Sequence, residues 1–259
     1  MAFIEKDGQK IHYALTGRSD APVVVFSNSL GTTFSMWDRQ LPDLEKKFRV
    51  LRYDTRGHGQ SSVTPGPYTI ERLARDVLTL LDALDIKRAN FCGLSMGGMI
   101  GMWLGLNAPS RLEKLVLCNT AAKIGSANGW NSRIELVLKD GMKAVAPGVI
   151  ERWLTPEFRA RSPQVWENAL RMLEASPPEG YAANCAAVRD FDARDQISAI
   201  RVPTLVITGS KDPATPPADG RFLADHIPGA RYVELQSSHL SNIEASEKFT
   251  AELIQFLSA

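Results

Sequence analysis

Hydrophobic positions along this chain change their period several times, and each change marks an element. From Phe3 to Gly17, polar and apolar residues alternate around Asp7-Gly8, which predicts a β-hairpin. Pro22-Val23-Val24-Val25-Phe26 is an unbroken apolar run, the pattern of a strand covered on both faces, as in a parallel sheet. Phe34 to Leu41 predicts a short helix with Trp37 and Leu41 on one side, and Phe48 to Tyr53 predicts another strand. Ile70, Leu73, Ala74, Val77, Leu80, Leu81 and Leu84 then recur at helical spacing. Thr69 suits the N-cap of that helix and Glu71 its first turn. Ala89–Leu94 and Leu112–Cys118 read as further strands, separated by an apolar helix that ends before Pro109. Gly97, Gly101 and Gly105 fall four apart on that helix, which lets it lie close on the sheet.

This alternation stops near Thr120. Residues 121–194 read as helical segments without a strand, punctuated by Pro147, Pro156, Pro163 and Pro177-Pro178, and they carry Trp130, Trp153 and Trp166. The alternation then resumes with a strand at Thr204–Thr208, a helix at Pro217–His226, a strand at Ala230–Leu235 and a terminal helix from Ile243 to Leu257. Repeated strand–helix units predict an α/β fold with a mostly parallel, eight-stranded sheet and helices on both faces. Its core is expected from residues 1–121 and 196–259, with a helical cap inserted at 122–195.

Composition narrows the function. A chain of 259 residues can bury one large core with an insertion. Thirty basic and 29 acidic residues leave a net charge of +1, which points away from a nucleic-acid partner or a membrane surface. The start lacks the basic and apolar regions of a signal peptide, and no stretch of ~18 apolar residues is long enough to span a bilayer. Cys92, Cys118 and Cys185 are odd in number and far apart, which suits buried, reduced thiols. A cytoplasmic monomer or small homo-oligomer is expected.

One stretch carries nucleophile chemistry. Gly93-Leu94-Ser95-Met96-Gly97 runs from a strand through a tight turn into a helix. A serine there projects its hydroxyl above the sheet, beside the unpaired N–H groups of the helix start. In this architecture ligands bind beyond the carboxyl ends of the strands, so its partners should follow other strands. Asp212 follows the 204–208 strand and His239 follows the 230–235 strand. Histidine can take the serine proton near neutral pH, and a carboxylate fixes the imidazole's tautomer. The backbone N–H groups of Met96 and Leu30 are the expected oxyanion donors. His58, in a strand-end loop, is the rival base; His12 lies in the hairpin, and His226 suits a helix C-terminus. For the acid, Asp219 and Asp225 fall inside the following helix, while Asp192 and Asp195 precede the strand. Neither a metal-ligand spacing nor a dinucleotide-binding glycine loop is present, so no metal or cofactor is expected.

With these residues assembled, the chain resembles the α/β-hydrolase family along its whole length. Asp54-Thr55-Arg56-Gly57-His58-Gly59-Gln60-Ser61 looks like the loop after that family's fourth strand, where Asp54 and Arg56 are structural. Within the family it is similar to the 3-oxoadipate enol-lactonases. That similarity rests on Ser27-Asn28-Ser29-Leu30-Gly31-Thr32, Ser35-Met36-Trp37-Asp38, Asn119-Thr120-Ala121, Arg152-Trp153-Leu154-Thr155-Pro156-Glu157-Phe158 and Cys185–Asp192. Ser238 departs from a common hydrolase pattern, in which glycine precedes the histidine. The resemblance implies a small anionic lactone substrate, opened through an acyl-enzyme on Ser95. Arg133 or Arg189 is then expected to pair with the substrate carboxylate, while Trp130 or Trp153 closes the pocket. A general carboxylesterase or a cofactor-free perhydrolase would use the same triad, and a C–C bond hydrolase would suit the same fold. A haloalkane dehalogenase would need aspartate at Ser95. A hydrolase-fold ligand-binding receptor is the alternative outside enzymes.

Overall fold

A computed structural model describes residues 2–6 and 8–259. The hairpin forms from β1 (Ala2–Lys6) and β2 (Gln9–Gly17), which pair antiparallel. Asp7, expected at its turn, lies outside the described residues. Six further strands follow: β3 (Val23–Ser27), β4 (Arg49–Tyr53), β5 (Ala89–Leu94), β6 (Leu112–Cys118), β7 (Thr204–Gly209) and β8 (Arg231–Leu235). The eight make one sheet in the order β1-β2-β4-β3-β5-β6-β7-β8. Only β1–β2 and β2–β4 run antiparallel. Every residue of β5 and β7 is buried, as expected for strands with both faces covered.

The short helix expected at Phe34–Leu41 forms as a 3-10 helix over Phe34–Gln40, and α1 (Leu41–Leu44) continues it in α form. Pro42 has no N–H to carry an α ladder back into the segment. Trp37 is fully buried all the same, and its indole N–H donates to Asn28 Oδ1 at 2.9 Å. The next helix, α2 (Ile70–Ala83), has the expected cap: Thr69 accepts from the Arg72 N–H. It packs on α3 (Met96–Asn107), which begins directly after Ser95. Between β6 and β7 come five α-helices: α4 (Ala127–Asp140), α5 (Met142–Trp153), α6 (Pro156–Arg161), α7 (Pro163–Glu174) and α8 (Pro178–Asp190). None of the described helices is long and apolar enough to cross a membrane.

After α9 (Pro217–His226), the terminal helix departs from expectation. It divides into α10 (Ser241–Glu244) and α11 (Ser246–Ser258), with Ala245 non-helical between them. The short α10 is bound elsewhere: Asn242 donates to the Met36 carbonyl, and Glu244 accepts from the N–H groups of Ser238 and Thr155. These contacts hold the first turn against the loop after β8, the start of α6 and the Phe34–Gln40 segment.

Candidate active site

The turn between β5 and α3 is strained at one residue. Ser95 has φ +59° and ψ −115°, a conformation that side chains rarely adopt. Its neighbours hold it there. The Ser95 N–H donates to the Cys118 carbonyl at 2.9 Å, and the Ser95 carbonyl accepts from Thr120 Oγ1 at 2.7 Å. The flanking glycines are dictated by close backbone approach. A Cβ on Gly93 would lie 2.1 Å from the Gly97 carbonyl oxygen, and one on Gly97 would lie 2.2 Å from that of Ser27. The Gly97 N–H donates to the Asn28 carbonyl, which ties the helix start to the loop after β3.

Asp212 and His239 meet beyond the ends of β7 and β8. His239 Nδ1 lies 2.8 Å from Asp212 Oδ2, and both residues are buried. Asp212 also accepts from Asn119 Nδ2 (3.0 Å), Thr215 Oγ1 (2.7 Å) and the N–H groups of Ala214 and Thr215. Burial works to raise this carboxyl, but His239 and the hydrogen bonds from Asn119 and Thr215 outweigh it and hold Asp212 at about 2. It is therefore an anion at neutral pH that can accept from Nδ1–H, which leaves Nε2 free to act as a base. No hydrogen bond joins Ser95 to His239 among the described residues. Both side chains open into one cavity, and such contacts tighten when substrate binds.

That cavity, about 280 Å³, lies between the carboxyl edge of the sheet and the inserted helices. Leu30, Ser95 and His239 line one side; Trp130, Arg133, Arg152 and Trp153 come from α4 and α5. Arg133 stacks on Trp130, its guanidinium 4.6 Å from the ring centre. Neither Arg133 nor Arg152 has an acidic partner among the described residues. Burial, and then the charge of Arg133, push Arg152 below its ordinary value. Tyr181, fully buried on α8, adds a hydroxyl with no hydrogen-bond partner there. A roomier groove beside α2 contains the Arg56–Asp76 ion pair, and its lining includes none of Ser95, Asp212 or His239.

Of the residues expected at the site, Arg189 does not line the cavity. It ends α8, where the adjacent Asp190 takes its guanidinium at 2.7 and 2.8 Å and Asn131 takes the remaining nitrogen. Arg152, which is not among the expected substrate residues, stands in the cavity instead. Its signal was the neighbouring Trp153, since consecutive residues near a helix end can both reach a pocket beyond that end. Ser238 has its own role: its hydroxyl donates to the Arg152 carbonyl at 2.8 Å, and the Leu240 N–H donates to the Trp153 carbonyl at 2.9 Å. The loop bearing His239 is thus fastened to the end of α5.

The N–H groups expected to hold an oxyanion, those of Leu30 and Met96, make no hydrogen bond among the described residues. His58 is a poor candidate base, because its Nε2 already accepts from the Gly31 N–H at 2.8 Å. His12 is buried against Asp54, which also accepts from the N–H groups of Phe34 and Gln60. His226 meets the Phe222 carbonyl at the end of α9.

A nucleophile turn, a buried acid–histidine pair beyond neighbouring parallel strands, and helices inserted above them define the class. The chain belongs to the α/β-hydrolase family, whose fold matches residues 22–246. It is 45% identical to 3-oxoadipate enol-lactonase 2 of Acinetobacter baylyi over 92% of this chain and 90% of that protein. With 3-oxoadipate enol-lactonase 1 of the same organism it shares 41% identity over 94% and 91%. The crystal structure of the enol-lactonase from Burkholderia xenovorans LB400 superposes with a TM-score of 0.98 at 48% identity, covering 100% of both chains. The similarity to enol-lactonases read from the sequence therefore extends over the fold as a whole.

Proposed function

We propose that this protein hydrolyses 3-oxoadipate enol-lactone to 3-oxoadipate, with Ser95 as nucleophile, His239 as base and acid, and Asp212 as its orienting carboxylate. The observation that carries this reading is the pair of acid-free arginines, Arg133 and Arg152, in the cavity that also holds Ser95 and His239. A small lactone bearing a carboxylate supplies the missing charge. The names of the enol-lactonases reported above support the same substrate.

In the proposed sequence His239 Nε2 takes the Ser95 proton as Oγ attacks the lactone carbonyl. The resulting oxyanion is received by the N–H groups of Leu30 and Met96, at the positive end of α3. The ring C–O bond then breaks, and the enol oxygen leaves with the proton carried by His239. The free enol becomes a ketone, which removes it as a competitor for the acyl group. Water enters, gives a proton to His239 and attacks the acyl carbon; collapse returns that proton to Ser95 and releases the second carboxylate. Arg133 and Arg152 hold the substrate's carboxylate throughout, with Trp130 and Trp153 as apolar walls. The buried free thiols of Cys92, Cys118 and Cys185 suit a reducing compartment, and we place the reaction in the cytoplasm.

Loss of enol-lactone absorbance on adding purified protein tests this reading. Turnover should exceed that of a neutral aryl ester of similar size by kcat/KM. Faster turnover of the neutral ester would remove the carboxylate from the account and leave a general esterase.

A further inference from the structure

The loop that offers the Leu30 N–H is held at several points: the Ser29 carbonyl, on the same peptide as that N–H, accepts from the Thr32 N–H at 3.2 Å and from Thr32 Oγ1 at 2.7 Å. After β3, Asn28 is fixed at both ends of its amide: Nδ2 donates to the Tyr53 carbonyl at 2.7 Å, and Oδ1 accepts from Trp37. Thr32 closes a turn onto the Ser29 carbonyl. Between these anchors lie Leu30 and Gly31. Gly31 has φ +82°, and its N–H points away from the loop to His58 Nε2 at 2.8 Å. The peptide joining Leu30 to Gly31 is thus fixed by a side chain from the loop after β4. A nitrogen that accepts from an N–H carries no proton, so the imidazole proton must sit on Nδ1, which faces the Arg56 carbonyl at 3.4 Å. His58 is 1% exposed, and α8 closes over it: Asn184 Nδ2 donates to the Arg56 and Gly180 carbonyls, each at 2.8 Å.

The other side of Gly31 is equally confined. A Cβ there would lie 2.6 Å from Leu173 and 3.2 Å from Tyr181, both on inserted helices. Gly31 is thus packed against the insertion on one side and bonded to His58 on the other, which fixes the Leu30–Gly31 peptide.

We propose that His58 is a positioning residue for the oxyanion site: by anchoring the Leu30–Gly31 peptide on one side of Leu30, while Thr32 holds the Ser29 carbonyl on the other, it keeps Leu30 where the N–H of the Ser29–Leu30 peptide faces the reacting carbonyl beside Ser95. It touches no substrate and acts through Gly31. This rests on the serine mechanism proposed above and adds the element that keeps its second donor in place. His58 stays neutral in this role, since protonation at Nε2 would set two donors against each other. Burial, working first against the charged form, favours that state and pushes His58 down to about 4.

Three substitutions separate positioning from packing. Glutamine can place an oxygen near the position of Nε2, asparagine ends about one bond short of it, and methionine fills the space without an acceptor of comparable strength. With an aryl acetate as substrate, H58M and H58N should lose on the order of tenfold or more in kcat with KM within about twofold. That is a part of the ~10²–10³ that outright loss of an oxyanion donor costs. H58Q should recover most of the lost rate. A purely structural role would lower the melting temperature in all three without this pattern, and undiminished kcat in folded H58M or H58N would overturn the proposal. Should those variants not fold, nitrogen NMR of the unmodified protein decides the matter. The His58 ring must show a proton on Nδ1 and a bare Nε2 coupled to the Gly31 amide, and a proton on Nε2 would overturn it. If the unmodified protein cleaves the aryl acetate but not the enol-lactone, the substrate reading fails while the role of His58 stands.

Discussion

Asn119 donates its side-chain amide to Asp212 Oδ2 at 3.0 Å, the same oxygen that meets His239 Nδ1. It directly follows β6 in a left-handed conformation (φ +42°), one that asparagine tolerates better than most residues. The contact helps to keep Asp212 ionised. A hydrogen bond to a buried charge is worth about 1.5–3 kcal/mol, so Asn119→Ala should lower kcat on the order of tenfold or more. Asn119→Asp sets a second buried carboxylate against the first, and two such groups cannot both ionise easily. Its loss should be larger, and steady-state rates on an aryl ester will rank the two.

Ser95 stores strain that its chemistry does not need to keep once the hydroxyl is gone. Ser95→Gly should therefore unfold at a higher temperature than the unmodified protein, by about 1 kcal/mol of stability, because such a backbone conformation costs about 1–3 kcal/mol in a residue with a Cβ. Ser95→Ala keeps the Cβ and should show little of that gain. Both should lose covalent labelling by a fluorophosphonate. Thermal unfolding of the three proteins side by side checks the difference.

Arg133 and Arg152 line the cavity that holds Ser95 and His239, and neither has an acidic partner among the described residues. Replacing either with methionine should raise KM for the anionic lactone by about tenfold while leaving KM for a neutral aryl ester within about twofold, since a partly solvated ion pair contributes on the order of 1 kcal/mol or somewhat more. Arg189→Met should leave both values near those of the unmodified protein, because Arg189 is spent on Asp190 and Asn131.

Stability should also depend on pH through His58. Burial, opposed by the Arg56 carbonyl and by Asp54, lowers it from 6.5 to about 4 in the fold. Between those values the unfolded chain binds the proton and the folded chain does not, so stability must fall as pH drops from about 6.5 toward 4. The contribution lost by pH 5 is about 2 kcal/mol. Denaturant unfolding at pH 7 and pH 5 should show that decline in the unmodified protein and a smaller one in H58Q.

Strand ends were readable in the sequence because a parallel strand announces itself as an apolar run and the residues after it must lie on one edge. Ser95, Asp212 and His239 follow from that rule and from chain order. The inserted helices obey no comparable rule. Gly180 to Val188 of α8 is buried on every side, so spacing cannot say which face meets a cavity, and nothing in the sequence marks Arg189, expected at the substrate, as lying outside it. Only tertiary contacts do. The division of the last helix was hidden for a similar reason: Asn242 and Glu244 look like ordinary helical residues until their partners at Met36 and Ser238 are known.

The bonds from Ser238 to the Arg152 carbonyl and from Leu240 to the Trp153 carbonyl bear on how such proteins diversify. One helix end both lines the cavity and braces the loop that carries His239. On the proposed mechanism, a change at the end of α5 that reshapes the cavity should also shift His239, coupling selectivity to rate. Transplanting residues 122–195 from a relative should give a poor enzyme for either parent's substrate until the Ser238–Leu240 loop is exchanged along with them.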